Sequence, residues 1–401
     1  MRILTVIDVF SFTPAGGAGT VMYNIARELS RRGNDMHVIC RRRNDLPLEG
    51  VIDGINFHTY DANPQSHTDL LSKGTGMVRK IFSDLHKQKP FDALHGHHPL
   101  PVYAIKRLDT AKNLPCFMHF HSPWHEEYLT RKTRSWKNFY RLPAVWFFSS
   151  MRRRTEKWAL DNSTKIICLS DYMKQKIAVT HKIREDKIAI VPGAADMERF
   201  VPVADKTALR KKLALPADKF ILYTVRSLIP RTGIDKLIKA MQIILPEAPD
   251  AVLVIGGTGP LEDELKQMAE DMGIDDNVIF TGFIPNEYLA PYYQASDLVV
   301  MPTQELEGFG LVTVEAMACG VPVTATPVGG NIEVLSGFDK SLLTAEKDET
   351  AIAQTILSLY NDKARMSGIA DRCREYVEQN YTWQKVADKL LKLLTPTTIN
   401  H

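Results

Sequence analysis

Residues 305–320 read ELEGFGLVTVEAMACG and place two carboxylates, Glu307 and Glu315, on either side of the glycine-bracketed aromatic Gly308-Phe309-Gly310. An apolar run of helical character follows, and Gly320 stops it. The first amides of a helix lack internal partners and carry the positive end of its dipole, so 309–312 is a candidate anion site. The same dipole favours a carboxylate in the first turns, but only by ~0.3–1 kcal/mol. That effect accounts for Glu315 alone and leaves the glycines and Glu307 unexplained. A division of labour accounts for all of them: amides for a phosphate, one carboxylate for a ribose diol, the other for a sugar hydroxyl. Charge-assisted hydrogen bonds of this kind are the strong ones.

Other polar candidates also follow strand-like runs. In VRSLIPRTG, Arg226 and Arg231 lie five apart on one loop and could grip a diphosphate, the bland alternative being two solvated arginines. VIGGTGP has small residues that permit close backbone approach, and TGFIP, with Phe283, could present backbone groups to a flat base. TPAGGAGTVMYN is a glycine-rich loop opening a helix but lacks both a GK[ST] ending and GxGxxG spacing. Histidines gather at 95, 97, 98, 119, 121 and 125. His119 and His121 would point the same way on a strand. No carboxylate or cysteine accompanies the six at ligand spacing and HExxH is missing, so they read as polar groups at two strand ends, with no metal.

Positioning these groups requires strands alternating with helices. In the first half the strands are predicted at 2–9, 36–40, 55–59, 92–95, 115–120, 165–169 and 188–191. The helix TVMYNIARELSRRG would bury Val21, Met22, Ile25, Ala26 and Leu29 and end at Gly33. In the second half FILYTV, AVLVIGG, NVIFTG, DLVVMP and PVTAT are short, apolar and β-branched. The expectation is an α/β protein of two doubly wound Rossmann-like domains, 1–195 and 205–380, facing a central cleft. The Pro- and Gly-bearing stretch 191–219 reads as a linker, and a C-terminal helix within 382–401 as a segment that packs back on the first domain. Residues 1–200 hold 31 Lys+Arg against 20 Asp+Glu, and 201–401 hold 19 against 27, so the basic half should favour an anionic partner. The five scattered cysteines fit reduced, buried thiols in a cytoplasmic protein.

EGFGLVTVEAMACGVPV resembles the E-x7-E region of glycosyltransferase family 4, whose members are retaining enzymes of the GT-B fold. GGAG, HFHSPW, ICLSDYMK, VPGAADMERF, VRSLIPRTG, GGTGPLEDEL, VIFTGFIP and ATPVGGNIEVL match in the same order, over nearly the whole chain. The resemblance makes the first domain acceptor-binding and the second nucleotide-sugar-binding. It implies that Glu315 binds the ribose hydroxyls and Glu307 the transferred sugar. Backbone amides of Phe309, Gly310 and Leu311 would meet sugar and phosphate, and His121 would lie near the anomeric centre. Gly17 would approach the diphosphate, and Phe283 would contact the base through its backbone. The family usually has Arg directly before the Leu of VRSLIPRTG and Lys directly before its Gly. Ser227 and Thr232 hold those slots here, with Arg226 and Arg231 one place earlier.

The implied activity is transfer of a hexose, with retention, from a nucleotide-diphosphate sugar, with UDP expected, to a glycan or lipid-linked acceptor in cell-surface polysaccharide or glycolipid synthesis. No cofactor is implied, and no acidic pair after a strand suggests a metal, so metal independence is expected. The alternatives are another GT-B nucleotide-sugar enzyme, an epimerase or phosphorylase, and a catalytically inactive nucleotide-sugar-binding protein. Residues 129–160 hold nine Lys+Arg against one acid, Glu156, interleaved with Trp136, Phe139, Tyr140, Trp146, Phe147, Phe148 and Trp158. Such a stretch reads as a contact with an anionic membrane surface, peripheral on the inner face, against the alternative of a solvated helix pair. No nucleic-acid-binding module accompanies it.

Overall fold

The computed structural model describes residues 1–10, 16–43, 46–63, 66, 69–132 and 142–395. The chain divides into two compact units, Met1–Pro192 with Val386–His401, and Gly193–Lys385.

Unit 1 is built on an eight-stranded sheet of order β3-β4-β2-β1-β5-β6-β7-β8. The strands are β1 Arg2–Val9, β2 Asp35–Arg41, β3 Glu49–Ile52, β4 Ile55–Tyr60, β5 Ala93–Gly96, β6 Cys116–Phe120, β7 Lys165–Cys168 and β8 Ile188–Ile190. All neighbouring pairs are parallel except β3 with β4. β3 is absent from the strands read off the sequence. Its signal is VIDGIN, where Asp53 (φ 48°) and Gly54 (φ 75°) both take the left-handed conformation that a tight hairpin turn requires. The helix Gly16–Arg31 buries Val21, Met22, Ile25, Ala26 and Leu29, and Gly33 (φ 80°) ends it. Val386, Ala387, Leu390 and Leu394 of the C-terminal helix Trp383–Leu394 are buried, and Asp388 pairs with Arg32 at 2.6 Å.

Unit 2 is built on a five-stranded, all-parallel sheet of order β11-β10-β9-β12-β13. Its strands are β9 Phe220–Val225, β10 Ala251–Gly256, β11 Val278–Gly282, β12 Leu298–Met301 and β13 Val323–Ala325. β10 and β12 are buried along their whole length, as continuous apolar strands between two helical layers must be. The stretch expected to be a linker is partly folded. Lys206–Lys212 is a helix capped by Asp205, and Arg210 is buried, donating to Ala295 O at 2.9 Å and to Asp297 at 2.6 Å. Apolar periodicity does not reveal such an element, because its anchor is a cation. All five cysteines are free and buried.

Candidate active site

In both units the candidate residues follow the carboxyl ends of parallel strands, where open α/β sheets bind ligands. In unit 2 the loops after β9 and β12 clasp each other. Gln304 N donates to Arg231 O at 2.8 Å, and Arg231 Nη1 donates to Leu306 O at 3.1 Å. Leu306 has φ 56°, a left-handed conformation that costs a non-glycine residue ~1–2 kcal/mol and sits next to Glu307.

Arg226 and Arg231 are not solvated arginines. Arg226 Nη2 meets Glu307 Oε2 at 2.7 Å, and the two side chains are only 10% and 13% exposed. Thr303 completes a triangle, accepting from Arg226 Nη1 at 2.8 Å and donating to Glu307 Oε2 at 3.2 Å. Both contacts engage the same carboxylate oxygen, so Oε1 takes neither. Thr303 lies four residues before Glu307 in MPTQELEG, a spacing that sequence reasoning passed over. Thr232, in the slot where the resemblance leads one to expect lysine, is buried and turns its hydroxyl to Ser227 O and Ile229 O.

Glu315 lies beyond the first turn of the helix Leu311–Ala318, so the dipole benefit does not account for it. It is buried and accepts the Tyr293 hydroxyl at 2.9 Å. Burial pushes its carboxyl up to about 7, against the opposing pull of that hydrogen bond and of Arg199. Tyr293 comes from the helix Leu289–Ala295 and shows no sequence signal beyond being aromatic.

Between the two acids, Gly310 takes φ 94° at the helix start, and a side chain there would run into Asn331 Oδ1 at 2.1 Å. The backbone of VGGN closes over this loop: Gly330 N donates to Glu307 O at 3.0 Å, and a Cβ on Gly330 would meet Phe309 Cα at 2.4 Å. The Phe309 ring is 3% exposed and packs against Tyr381 at 5.5 Å, so only its backbone is available to a ligand. Leu311 is the first helical residue. Phe283 follows Gly282 at the end of β11 and is 70% exposed.

In unit 1, Gly17 is the exposed second residue of the helix Gly16–Arg31, while residues 11–15 of its loop lie outside the described ones. The parallel register of β5 with β6 sets His95 and His97 beside His119 and His121 on one face. His97 Nδ1 and His121 Nε2 are 2.9 Å apart, and His97 Nε2 and His95 Nδ1 are 3.4 Å apart. The His119 ring packs against those of His97 at 4.8 Å and His121 at 4.9 Å, which are themselves 5.1 Å apart. Burial, reinforced by the neighbouring imidazoles, lowers His95 to about 3 and His121 to about 4, so these rings are neutral.

A carboxylate does accompany one histidine, contrary to the reading from spacing. Glu156 is 1% exposed and meets His125 Nδ1 at 3.2 Å, His181 Nε2 at 3.1 Å and the Trp124 amide at 3.0 Å. Burial opposes its ionisation, but these partners outweigh burial and hold the carboxyl below its ordinary value. The three side chains come from helices far apart in sequence, Trp124–Lys132, Leu142–Asp161 and Asp171–His181, so no spacing rule finds them.

The basic aromatic stretch is also partly internal. Arg152 is buried with its guanidinium 3.8 Å from the Tyr128 ring centroid, and Trp158 packs on Tyr103 at 4.9 Å. Trp146 and Phe147 are 60% and 65% exposed, and Arg153 and Arg154 are exposed. Trp136, Phe139 and Tyr140 lie outside the described residues. Among the described residues no helix is long and apolar enough to cross a membrane.

Two α/β units on largely parallel sheets, the second carrying paired carboxylates around a helix start, match the GT-B fold of solved glycosyltransferases. The Anabaena HepE structure in complex with UDP-glucose shares the fold at a TM-score of 0.76, with 20% identity over 98% of this chain and 99% of that one. "Glycosyltransferase Family 4" matches residues 15–199 and "Glycosyl transferases group 1" matches 205–383. The chain belongs to glycosyltransferase family 4. An uncharacterized glycosyltransferase of Methanocaldococcus jannaschii is 25% identical over 98% of this chain and 97% of its own length. A GDP-mannose-dependent monoacylated alpha-(1-6)-phosphatidylinositol monomannoside mannosyltransferase of Corynebacterium glutamicum is 32% identical over 51% of this chain and 55% of its own length.

Proposed function

We propose that the chain transfers a hexose, with retention, from a nucleotide-diphosphate sugar to a glycan or lipid-linked acceptor in cell-surface polysaccharide or glycolipid synthesis. The observation that carries this reading is the separation of the two acids into different environments around one helix start. Glu315, buried beside Tyr293, takes the ribose diol. Glu307, charge-paired on one oxygen, keeps Oε1 for a hydroxyl of the transferred sugar. The amides of Phe309, Gly310 and Leu311 receive phosphate and sugar oxygens, Gly17 approaches the diphosphate, and the backbone at Phe283 meets the base. His121 acts on the sugar as a neutral imidazole.

The ion pair with Glu307 supports a second role for Arg226 beside the diphosphate one. A guanidinium locked to Glu307 first orients that carboxylate, and it reaches the diphosphate only by sharing itself between the two. Charge developing on the departing nucleoside diphosphate is then met by helix amides and by the rest of the arginine fork. Transfer is proposed to be independent of Mg²⁺ and Mn²⁺. UDP is the proposed nucleotide, as named for the Anabaena complex, with the GDP-mannose dependence of the Corynebacterium relative as its rival. Trp146 and Phe147, with Arg153 and Arg154, are proposed to touch an anionic membrane surface from the cytoplasmic side.

One observation favours an inactive nucleotide-sugar-binding protein. Both slots usually basic in the family hold hydroxyls, and that of Thr232 is spent on backbone carbonyls. Acceptor-dependent release of nucleoside diphosphate separates the two readings. The enzyme releases it only with acceptor present, in EDTA as well as without it, whereas a binding protein is stabilised by the donor and releases nothing.

A further inference from the structure

The histidines of unit 1 leave an unresolved balance of hydrogen bonds. A neutral imidazole has one donor and one acceptor nitrogen, and burying either without a partner is costly. His95 and His119 are fully buried. Among the described residues, His95 Nε2 and both nitrogens of His119 have no hydrogen-bond partner. Thr5 sits beside His95 in the register of β1 with β5, and its buried hydroxyl also has none. His119, with neither nitrogen partnered, packs its ring 5.6 Å from that of His95 and 4.8 Å from that of His97, and a buried imidazole left so calls for a partner that is not protein.

The spacing identifies the partner. His95, His97 and His119 each offer a nitrogen, and these atoms lie within 4.8 Å of one another. His95 Nδ1 and His97 Nε2 are 3.4 Å apart. Two imidazoles on one tetrahedral zinc ion, with bonds of about 2.0–2.1 Å, have nitrogens separated by about 3.3 Å. The arms that supply them are an H-x-H on β5 with its following residue and the in-register His119 on β6, held by the sheet ladder.

We propose that His95, His97 and His119 bind a zinc ion, with a water in the fourth position. Three imidazoles and a water form a known zinc donor set, and imidazole suits Zn²⁺ where Mg²⁺ demands oxygen. Ligation through His97 Nε2 leaves Nδ1–H to donate to His121 Nε2. That is the outer contact a ligating histidine ordinarily makes, and it fixes the tautomer of His121. The site is separate from the His125–Glu156–His181 cluster, whose carboxylate already has its partners.

The test uses the untagged full chain, stripped with a chelator, incubated with Zn²⁺ and desalted before elemental analysis. Retention of ~1 equivalent, with a first shell of nitrogens at ~2.0–2.1 Å by X-ray absorption at the zinc edge, is the expected result. His95→Ala and His119→Asn should each weaken Zn²⁺ binding at least about tenfold, while Glu156→Gln binds like the parent. Zinc that stays in His119→Asn but is lost from Glu156→Gln would overturn the proposal, as would a parent protein that retains none. Where a variant does not fold, the X-ray absorption shell of the parent decides: three imidazole nitrogens with one water oxygen support the site, and a shell with carboxylate oxygen overturns it.

Discussion

The polar strand ends of the two units are opposites in how their atoms are satisfied. In unit 2 every named charge has an internal answer: Arg226 against Glu307, Arg231 against Leu306 O, Glu315 against Tyr293. In unit 1 four imidazoles share two close contacts, and buried nitrogens are left over. A satisfied network holds a shape before the ligand arrives, whereas an orphaned one awaits a ligand to complete it. The contrast assigns preorganisation to the carboxylate side and completion by binding to the histidine side.

The strongest way to break this contrast is at Glu307. Glu307→Gln keeps an acceptor for Thr303 but removes the charge, and transfer should fall at least ~100-fold in a nucleoside diphosphate release assay. Unchanged turnover would end its assignment to the sugar. Glu307→Ala should cost ~3–5 kcal/mol of stability by stranding the Arg226 charge, and Arg226→Met in the same chain should restore most of it. Denaturant melts of the two single variants and the double variant measure that coupling.

Glu315 comes next. Its folded pKa of about 7 lies above its ordinary 4.5, so the native state holds the proton more tightly than the unfolded chain does. The associated stability is fully present below pH 4.5 and is lost as the pH rises through 7. The loss reaches at most about 3 kcal/mol. Glu315→Gln, which carries no charge to bury, should therefore out-melt the parent at pH 8 and match it at pH 4, while losing its nucleotide-induced thermal shift. A parallel loss of stability with pH in both proteins would refute the assignment.

The smallest effect is expected at the surface. Trp146→Ser with Phe147→Ser should reduce cosedimentation with anionic liposomes while changing stability by no more than ~0.5 kcal/mol. Arg153→Glu with Arg154→Glu should do the same more strongly at low salt. Arg152 does not belong in that set, because it is buried against Trp124 and Tyr128.

What was legible in the sequence had a period or a punctuation mark. The helix after β1, the apolar strands of unit 2 and the glycines around Phe309 all announced themselves. β3 was legible through Asp53-Gly54 but sits on an exposed, weakly patterned edge. The groups that hold the candidate residues were less visible. Tyr293, Thr303, Glu156 and His181 act through contacts made across loops and helices, and single residues of common type carry no pattern. The approach of His119 to His95, whose register partner is Phe117, depends on a strand pairing that the sequence implies only after the sheet order is known. The partner of Arg226 was hidden for the same reason: its loop alone offers a diphosphate or solvent, and the loop after β12 delivers a carboxylate beside it.

The proton on Glu315 has one more consequence. On the proposed assignment, a ribose diol that donates both hydroxyls requires the ionised carboxylate, so nucleotide capture on the acid side of pH 7 would expel a proton into solution. Calorimetric heats of binding at pH 6 should then vary with the ionisation enthalpy of the buffer, and at pH 8.5 they should not. Donor binding as proposed would then be a reaction in which hydrogen ion is a product.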